Sequence, residues 1–265
     1  MPAVESLRRA LTDALRGSGE ILKRQFGKAK IGYKGRANLI TQVDRASEER
    51  ILQTILRRFP DHDFITEERP PRHSGSDFLW IVDPLDGTTN YAHGYPAACV
   101  TIGLFHRQRP LLAATLDPFR EELFFARRGR GCRLNGRRCR VSSTARLEES
   151  LVITGFPYDR VERSRFYIEY YRQFMTRTHD VRRSGSAALD MAWIAAGRGD
   201  GYWEFNLSPW DVGAGWLLVE EAGGTVTDFS GRSWKDPATM GRQTLATNGR
   251  VHSAMLKVLR QSNEV

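Results

Sequence analysis

Apolar residues recur at helical spacing in some stretches of this chain and in short alternating or continuous runs in others. Leu7, Ala10, Leu11, Ala14 and Leu15 fall at three- and four-residue steps. Ile21, Leu22 and Phe26 continue the face, which predicts a helix over residues 6–26. A second helix is expected over 44–59, with Ile51, Leu52, Ile55, Leu56 and Phe59 inward and Pro60 closing it. Strand-like runs follow at Asp63–Thr66, 78–82, 99–105, 111–116 and 122–126, with a surface loop over 70–76. Gly129, Gly131 and Asn135-Gly136 supply turn chemistry between short strands. The second half reads as strand Leu151–Thr154, helix Ser164–Met175, a small-residue helix over 185–196 and a strand over 202–205. A helix over 210–222 follows, stopped by Gly223-Gly224, then strands over 225–228 and 245–247 and a last helix over 251–259. Helices and strands alternate in blocks rather than in strict βαβ units. That argues for layered sheets and helices in one compact unit, not a simple Rossmann domain. The unit spans 1–265, with an α+β part over about 1–145 and an α/β part over about 146–265.

Composition agrees with a globular protein: 265 residues, 40% hydrophobic and 27% charged. No apolar stretch approaches the roughly 18 residues that a membrane span needs. The N-terminus, MPAVESLRRALTDALRG, carries no apolar core or small-residue cleavage site of an export signal. Three cysteines make no disulfide framework, suit a reducing cytoplasm and provide too few ligands for zinc. The net charge of +9 concentrates in Arg127, Arg128, Arg130, Arg133, Arg137, Arg138 and Arg140, with no acid between. One reading is attraction for polyanions or phosphorylated substrates. A solvated hairpin in an arginine-favouring protein fits better, because the aromatics of a single-strand binder are missing.

The most informative segment is Trp80-Ile-Val-Asp83-Pro-Leu-Asp86-Gly-Thr88-Thr-Asn90. An apolar strand runs into Asp83, Pro84 forces an extended turn, and Asp86 follows three residues later. Two carboxylates on one tight turn repel each other unless they share a cation, and hard oxygen donors select Mg²⁺ or Mn²⁺. Gly87-Thr88-Thr89 then offers N–H groups and a hydroxyl, a phosphate seat if a helix starts there. The plainer alternative is an Asx-turn with capping residues. Other acids stand at the ends of separate elements: Glu67-Glu68 after a strand, Asp211 in the first turn of a helix, and Asp44 three residues after Thr41. Taken singly, Asp211 reads as a dipole acid and Thr41-x-x-Asp44 as a capping box. Together they are what a multi-metal phosphoryl-transfer site requires.

Asp83-Pro-Leu-Asp-Gly-Thr-Thr-Asn90 and Trp210-Asp-Val-Gly-Ala-Gly215 resemble the two signature motifs of the inositol monophosphatase family. Thr66-Glu67-Glu68 resembles its upstream acidic motif, and Gly185-Ser-Ala-Ala-Leu-Asp190 its substrate-side loop. The resemblance covers about residues 6–259. It departs at Gly213-Ala214-Gly215, where many members carry an alanine pair, a difference that bears on helix packing.

The resemblance implies a layered αβαβα sandwich of the inositol monophosphatase and fructose-1,6-bisphosphatase type. It also implies a Mg²⁺-dependent, Li⁺-sensitive phosphomonoesterase, commonly a homodimer. Two to three Mg²⁺ ions are expected, with Mn²⁺ a substitute: one on Glu67, Asp83 and the Leu85 carbonyl, one on Asp83, Asp86 and Asp211, and a looser one near Glu67. Thr88, paired with Asp44, would position or deprotonate the attacking water, with Glu67 as a further catalytic acid. Asp86, Gly87, Thr88, Gly185, Ala187, Glu204 and Asp211 would face substrate. Apart from the resemblance, Glu204 reads as a strand-edge surface acid, and Arg183 as a partner-binding or simply solvated residue. Inositol phosphate is the favoured substrate. Fructose 1,6-bisphosphate comes next, ahead of histidinol phosphate and 3′-phosphoadenosine nucleotides. A different class of role is binding to RNA or the transcription machinery, because Arg182-Arg183 and the loop after them resemble a bacterial subgroup linked to ribosomal RNA synthesis.

Overall fold

The computed structural model describes residues 4–28, 31–33 and 39–261. Helix α1 (Val4–Gln25) buries the predicted face, Leu7, Leu11, Leu15 and Leu22 included. A ribbon that the hydrophobic pattern does not mark follows, β1 (Ile31–Tyr33) antiparallel to β2 (Leu39–Thr41). Helix α2 (Gln42–Leu56) starts two residues ahead of expectation because Thr41 is its N-cap. The Thr41 hydroxyl accepts the Val43 N–H at 3.1 Å, and the Asp44 carboxylate accepts the Thr41 N–H at 2.7 Å.

A seven-stranded sheet comes next: β3 (Asp63–Thr66), β4 (Phe78–Asp86), β5 (Cys99–His106), β6 (Arg109–Asp117), β7 (Glu122–Arg127), β8 (Cys132–Leu134) and β9 (Arg137–Arg138), in that order. Its β3–β4 pair is parallel and the other pairs are antiparallel. Strand β4 outruns its predicted end. It continues through Pro84 to Asp86 with a break in register after Asp83, the kind of irregularity at which a strand tolerates proline. A short helix, α3 (Thr88–Ala92), leaves that strand directly.

The second half adds β10 (Leu151–Thr154), α4 (Ser164–Met175), β11 (Asp180–Arg182), α5 (Ala187–Ala195), β12 (Gly201–Phe205), α6 (Pro209–Glu221), β13 (Thr225–Thr227), β14 (Gln243–Thr247) and α7 (His252–Gln261). Its five strands lie in the order β11-β10-β12-β14-β13. Strand β11 escapes the hydrophobic pattern because Val181 is its one apolar residue.

Alternation along the strands sorts these elements into layers. In the large sheet Trp80, Val82, Val100, Ile102, Leu104, Leu112 and Ala114 face α1 and α2. Ile81 and Ala113 face the other way, into a core shared with α5 and α6. In the small sheet Ile153, Tyr202 and Ala246 join that same core. Val152, Trp203 and Leu245 face α4 and α7. The result is the αβαβα sandwich that the pattern and the resemblance implied.

The central helices sit close to the sheets because small residues line the contact. A Cβ on Gly103 of β5 would lie 3.1 Å from the Gly213 carbonyl carbon and oxygen, and one on Gly215 would lie 2.7 Å from the Met191 side chain. Gly213 and Gly215, where the sequence departs from an alanine pair, are thus what seats α6.

At the rim of the large sheet His62 is stacked between Phe59 and Phe78, at 4.7 and 4.6 Å between ring centres. Its Nδ1 accepts the Trp80 indole N–H at 3.0 Å. Burial lowers its proton affinity below the ordinary 6.5, and burial acts in the same direction on His252. Below that ordinary value the unfolded chain takes up protons that the folded ring resists, so stability falls as pH drops from 7 to 5. Replacing His62 by Phe should cost about 1–3 kcal/mol by stranding the Trp80 N–H. It should also flatten, without abolishing, the fall in melting temperature between pH 7 and 5. Thermal melts across that range measure both effects.

Candidate active site

The end of β4, the start of α3, the loop before α5, the end of β12 and the start of α6 surround a cleft of about 490 Å³. Asp83, Asp86 and Asp211 meet there, each offering a carboxylate oxygen within 4.8 Å of those of the others. A larger groove of about 990 Å³, between α1 and β6–β8, holds ion pairs such as Lys23–Glu121 rather than converging acids.

Each aspartate is held in place by hydrogen bonds from the backbone or side chains around it. Asp83 Oδ1 accepts the Leu85 N–H at 2.9 Å, across the turn that Pro84 imposes. Ser47 of α2 holds that turn from behind, donating to the Pro84 carbonyl at 2.6 Å. Asp86 Oδ2 accepts the Ser186 hydroxyl at 2.6 Å and the Ala188 N–H at 2.7 Å, which ties it to the first turn of α5. Asp211 Oδ2 accepts the Ser208 N–H at 2.7 Å, closing the capping box at the head of α6. Glu67 lines the same cleft and is near enough to act on Asp83, but its carboxylate stands outside the three-aspartate set. Glu48 of α2 positions the turn that carries it, by bonding to the Thr66 hydroxyl, the Glu68 N–H and Arg69.

Burial pushes the Asp83 carboxyl well above the usual range, and Glu67, Asp86 and Asp211 push it further. Asp211 is raised by burial and then by Asp86. Asp86 is raised by burial, against the hydrogen bonds from Ser186 and the α5 amides. Among the described residues no lysine or arginine forms an ion pair with any of the three. A cluster of this donor type, hard oxygens in like charge without an internal counter-ion, fits divalent cations.

Thr88 and Asp44 are brought together. The Thr88 hydroxyl lies 3.1 Å from Asp44 Oδ1 and 3.0 Å from the Leu85 carbonyl oxygen. Asp44 stands behind the cleft wall, raised by burial and restrained by the bonds from Thr41 and Thr88. It is therefore both the capping-box residue of α2 and the partner of Thr88. Gly87 has a φ of 89°, and a Cβ there would approach the Ala97 carbonyl to 2.8 Å. Only glycine fits that corner, from which α3 starts at the cleft wall.

Gly185, Ala187 and Glu204 line the opposite wall. Asn90, the last residue of the first motif, donates to the Ala97 and Ser184 carbonyls, each at 2.8 Å, and so fixes the loop that presents Gly185. Glu204 is buried rather than a surface strand-edge acid. Burial pushes it up to about 7, while the Tyr202 hydroxyl bond at 2.6 Å and nearby Arg183 hold it down. Gly155 makes room for it, since any Cβ there would overlap the Glu204 carboxylate.

Several cleft residues lie outside the predicted set, among them Ser186 beside Asp86, Tyr158, Arg160 and Asn206. Gly155-Phe-Pro at the end of a buried strand was the available signal for the loop that carries Tyr158 and Arg160. Arg183, read as a partner-binding or solvated residue, lines the cleft, with its guanidinium 6.0 Å from the Phe156 ring centre.

A layered α/β fold, with an acid-lined cleft at the end of its large sheet, is that of a metal-dependent phosphatase. The model of the inositol monophosphatase family matches residues 3–264. An inositol-1-monophosphatase of Synechocystis is 45% identical over 94% of this chain and 86% of its own length. The Nus factor SuhB of Pseudomonas aeruginosa is 43% identical over 82% of this chain and 83% of its own. The solved inositol monophosphatase of Anabaena superposes with a TM-score of 0.88 at 41% identity, covering 97% of this chain and 96% of that one. The chain belongs to the inositol monophosphatase family.

Without a cation the aspartates become costlier as they ionise, because folding raises their proton affinity. Metal-free stability from this cluster therefore falls as pH rises. The rise in melting temperature on adding Mg²⁺ should accordingly be larger at pH 8 than at pH 5. Asp83→Asn should lose most of that rise, yet melt no lower than the unaltered protein in chelator. Thermal melts with Mg²⁺ and with chelator test both statements.

Proposed function

We propose that the protein hydrolyses the phosphate ester of inositol monophosphate, releasing inositol and inorganic phosphate with the help of Mg²⁺. The observation that carries this reading is the meeting of Asp83, Asp86 and Asp211 beside Glu67 and the first amides of α3. Glu67, Asp83, Asp86, Asp211 and the Leu85 carbonyl are the residues that would hold the ions. Bound divalent cations supply positive charge for the phosphoryl oxygens and make water easier to deprotonate near neutral pH.

The chain's own groups do the rest. The N–H groups of Gly87 and Thr88 donate to the phosphoryl oxygens as negative charge develops on them. The Thr88 hydroxyl orients the attacking water, and Asp44, buried behind it, takes up the proton that Thr88 relays. Glu204 and the Gly185–Ala187 loop receive the polyol hydroxyls. A carboxyl poised near 7 both accepts and donates hydrogen bonds, which suits a ring carrying several of them. Lithium sensitivity, assembly as a homodimer and residence in the cytoplasm accompany this reading through the family.

A specific observation favours a second substrate. Arg160 and Arg183 line the same cleft, and among the described residues neither is held in a close ion pair, although Arg183 acts on Glu204 from a distance. They suit a second anionic group, as on fructose 1,6-bisphosphate. Kinship to proteins named Nus factors supports a separate binding role, for which the Arg127–Arg140 hairpin offers exposed charge. Capture from lysate with and without ribonuclease tests whether RNA is involved.

A panel of phosphate esters, scored by released phosphate under Mg²⁺ titration, should rank inositol monophosphate first. A higher kcat/KM for a bisphosphate, lost on Arg160→Ala, would replace that ranking. Asp83→Asn should reduce turnover to background. Thr88→Val should lower kcat by about two to four orders of magnitude with little change in melting temperature. Millimolar Li⁺ should slow turnover of the unaltered enzyme.

A further inference from the structure

Outside the cleft, the chemistry-bearing group left without a role is a pair of cysteines at the root of the arginine hairpin. Strands β8 and β9 pair Arg133 with Arg138 and Leu134 with Arg137. One step further back the same register places Cys139 directly opposite Cys132, and the Cys139 N–H donates to the Cys132 carbonyl at 3.1 Å. Residues facing each other in a hydrogen-bonded antiparallel pair hold their Cα atoms about 5.5 Å apart with both side chains on one face. That separation is near the commonest one for a disulfide. Here the shared face is the one packed on the central core, where Cys132 is buried and Cys139 lies half-buried against it.

The hairpin around them is held in place. Asn135 and Gly136 have φ of 48° and 80°, the left-handed pair that a tight two-residue turn requires. On the other side, the Glu221 carboxylate at the end of α6 accepts the N–H groups of Gly129, Arg130 and Gly131 at 2.6, 3.0 and 2.6 Å. The two cysteines are therefore opposed by a fixed backbone and not by a chance approach of mobile segments.

We infer that Cys132 and Cys139 form an oxidant-reactive dithiol that closes to a cross-strand disulfide on exposure to a peroxide. Their roles differ. Cys139 is the more accessible, half-buried where Cys132 is buried, and the Arg198 charge acts on it in the direction that favours its thiolate. Cys139 is thus the attacking group and Cys132 the resolving one. The Cys139 thiolate attacks one peroxide oxygen, an S–O bond forms, the O–O bond breaks, and hydroxide leaves and is protonated to water. The Cys132 sulfur, giving up its proton, then attacks the Cys139 sulfur; the S–S bond forms, the S–O bond breaks and a second water leaves. Two thiols are oxidised by two electrons and one peroxide is reduced to two waters. Cys99 is fully buried in β5, away from the hairpin, so it takes no part. In a reducing compartment the bond is transient, the form that disulfides there usually take.

The test uses the full chain treated with hydrogen peroxide, then denatured and alkylated. Of its three cysteines, the treated protein should retain a single alkylatable thiol, Cys99, and should lose the mass of two hydrogen atoms. Peptide mapping should find residues 132 and 139 linked, and dithiothreitol should restore all three thiols. Cys132→Ser should instead leave a dimedone-reactive sulfenic acid on Cys139. Cys139→Ser should leave Cys132 unreactive, and Cys99→Ser should change nothing. Circular dichroism and basal turnover check that each variant is folded, with Cys132→Ala as the substitute should the serine disturb the core. Retention of all three thiols, a linkage involving Cys99, or oxidation of Cys139 to a sulfinate with Cys132 still free would overturn the inference.

Discussion

Like charges held together in a buried place are the constraint on which the rest of this molecule depends. Asp83, Asp86 and Asp211 bring oxygens within 4.8 Å of one another, and Asp83 and Asp86 are almost wholly removed from solvent. Such an arrangement persists only if the surrounding structure over-determines it, and each carboxylate is accordingly gripped by a different element. Asp83 is held within its own turn, Asp86 by α5, and Asp211 by the cap of α6. A divalent cation bound there would offset the repulsion that the cluster costs the fold.

The layering serves that convergence. Helices α5 and α6 lie between the two sheets, and their first turns point at the same end of β4. Close seating is what makes the geometry reproducible. Gly103 against Gly213, and Gly215 against Met191, leave no space for α6 to slide relative to the sheet. Asp211 rides on the first turn of α6, so residues without any chemistry of their own help to set the site's precision.

Local and functional roles coincide at two positions. Asp44 completes a capping box with Thr41 and receives the Thr88 hydroxyl; Asp211 completes a capping box with Ser208 and faces Asp86. For these residues a cap and the proposed catalytic or ligand role are compatible. A capping carboxylate uses one oxygen for the backbone, and the other is then held in a defined direction with no added conformational cost.

The chain's own pattern was enough to place the long helices and most strands of the large sheet. Their apolar spacing is dense, and turn residues punctuate it at Pro60, Asn135-Gly136 and Gly223-Gly224. It also marked Asp83 and Asp86, because two acids around a proline at the end of an apolar strand is a local anomaly. The short ribbon β1–β2 and strand β11 left no such trace, since three-residue strands hold too few side chains to alternate. What only the tertiary structure decided is which distant groups share the cleft: Ser186 beside Asp86, Arg160 and Arg183 on its wall, and Glu204 buried and raised to about 7 rather than exposed at a strand edge. Periodicity and turn chemistry act over a few neighbouring residues and are written along the chain. The field at a carboxylate depends on what lies within a few ångströms in space, and packing between layers creates that.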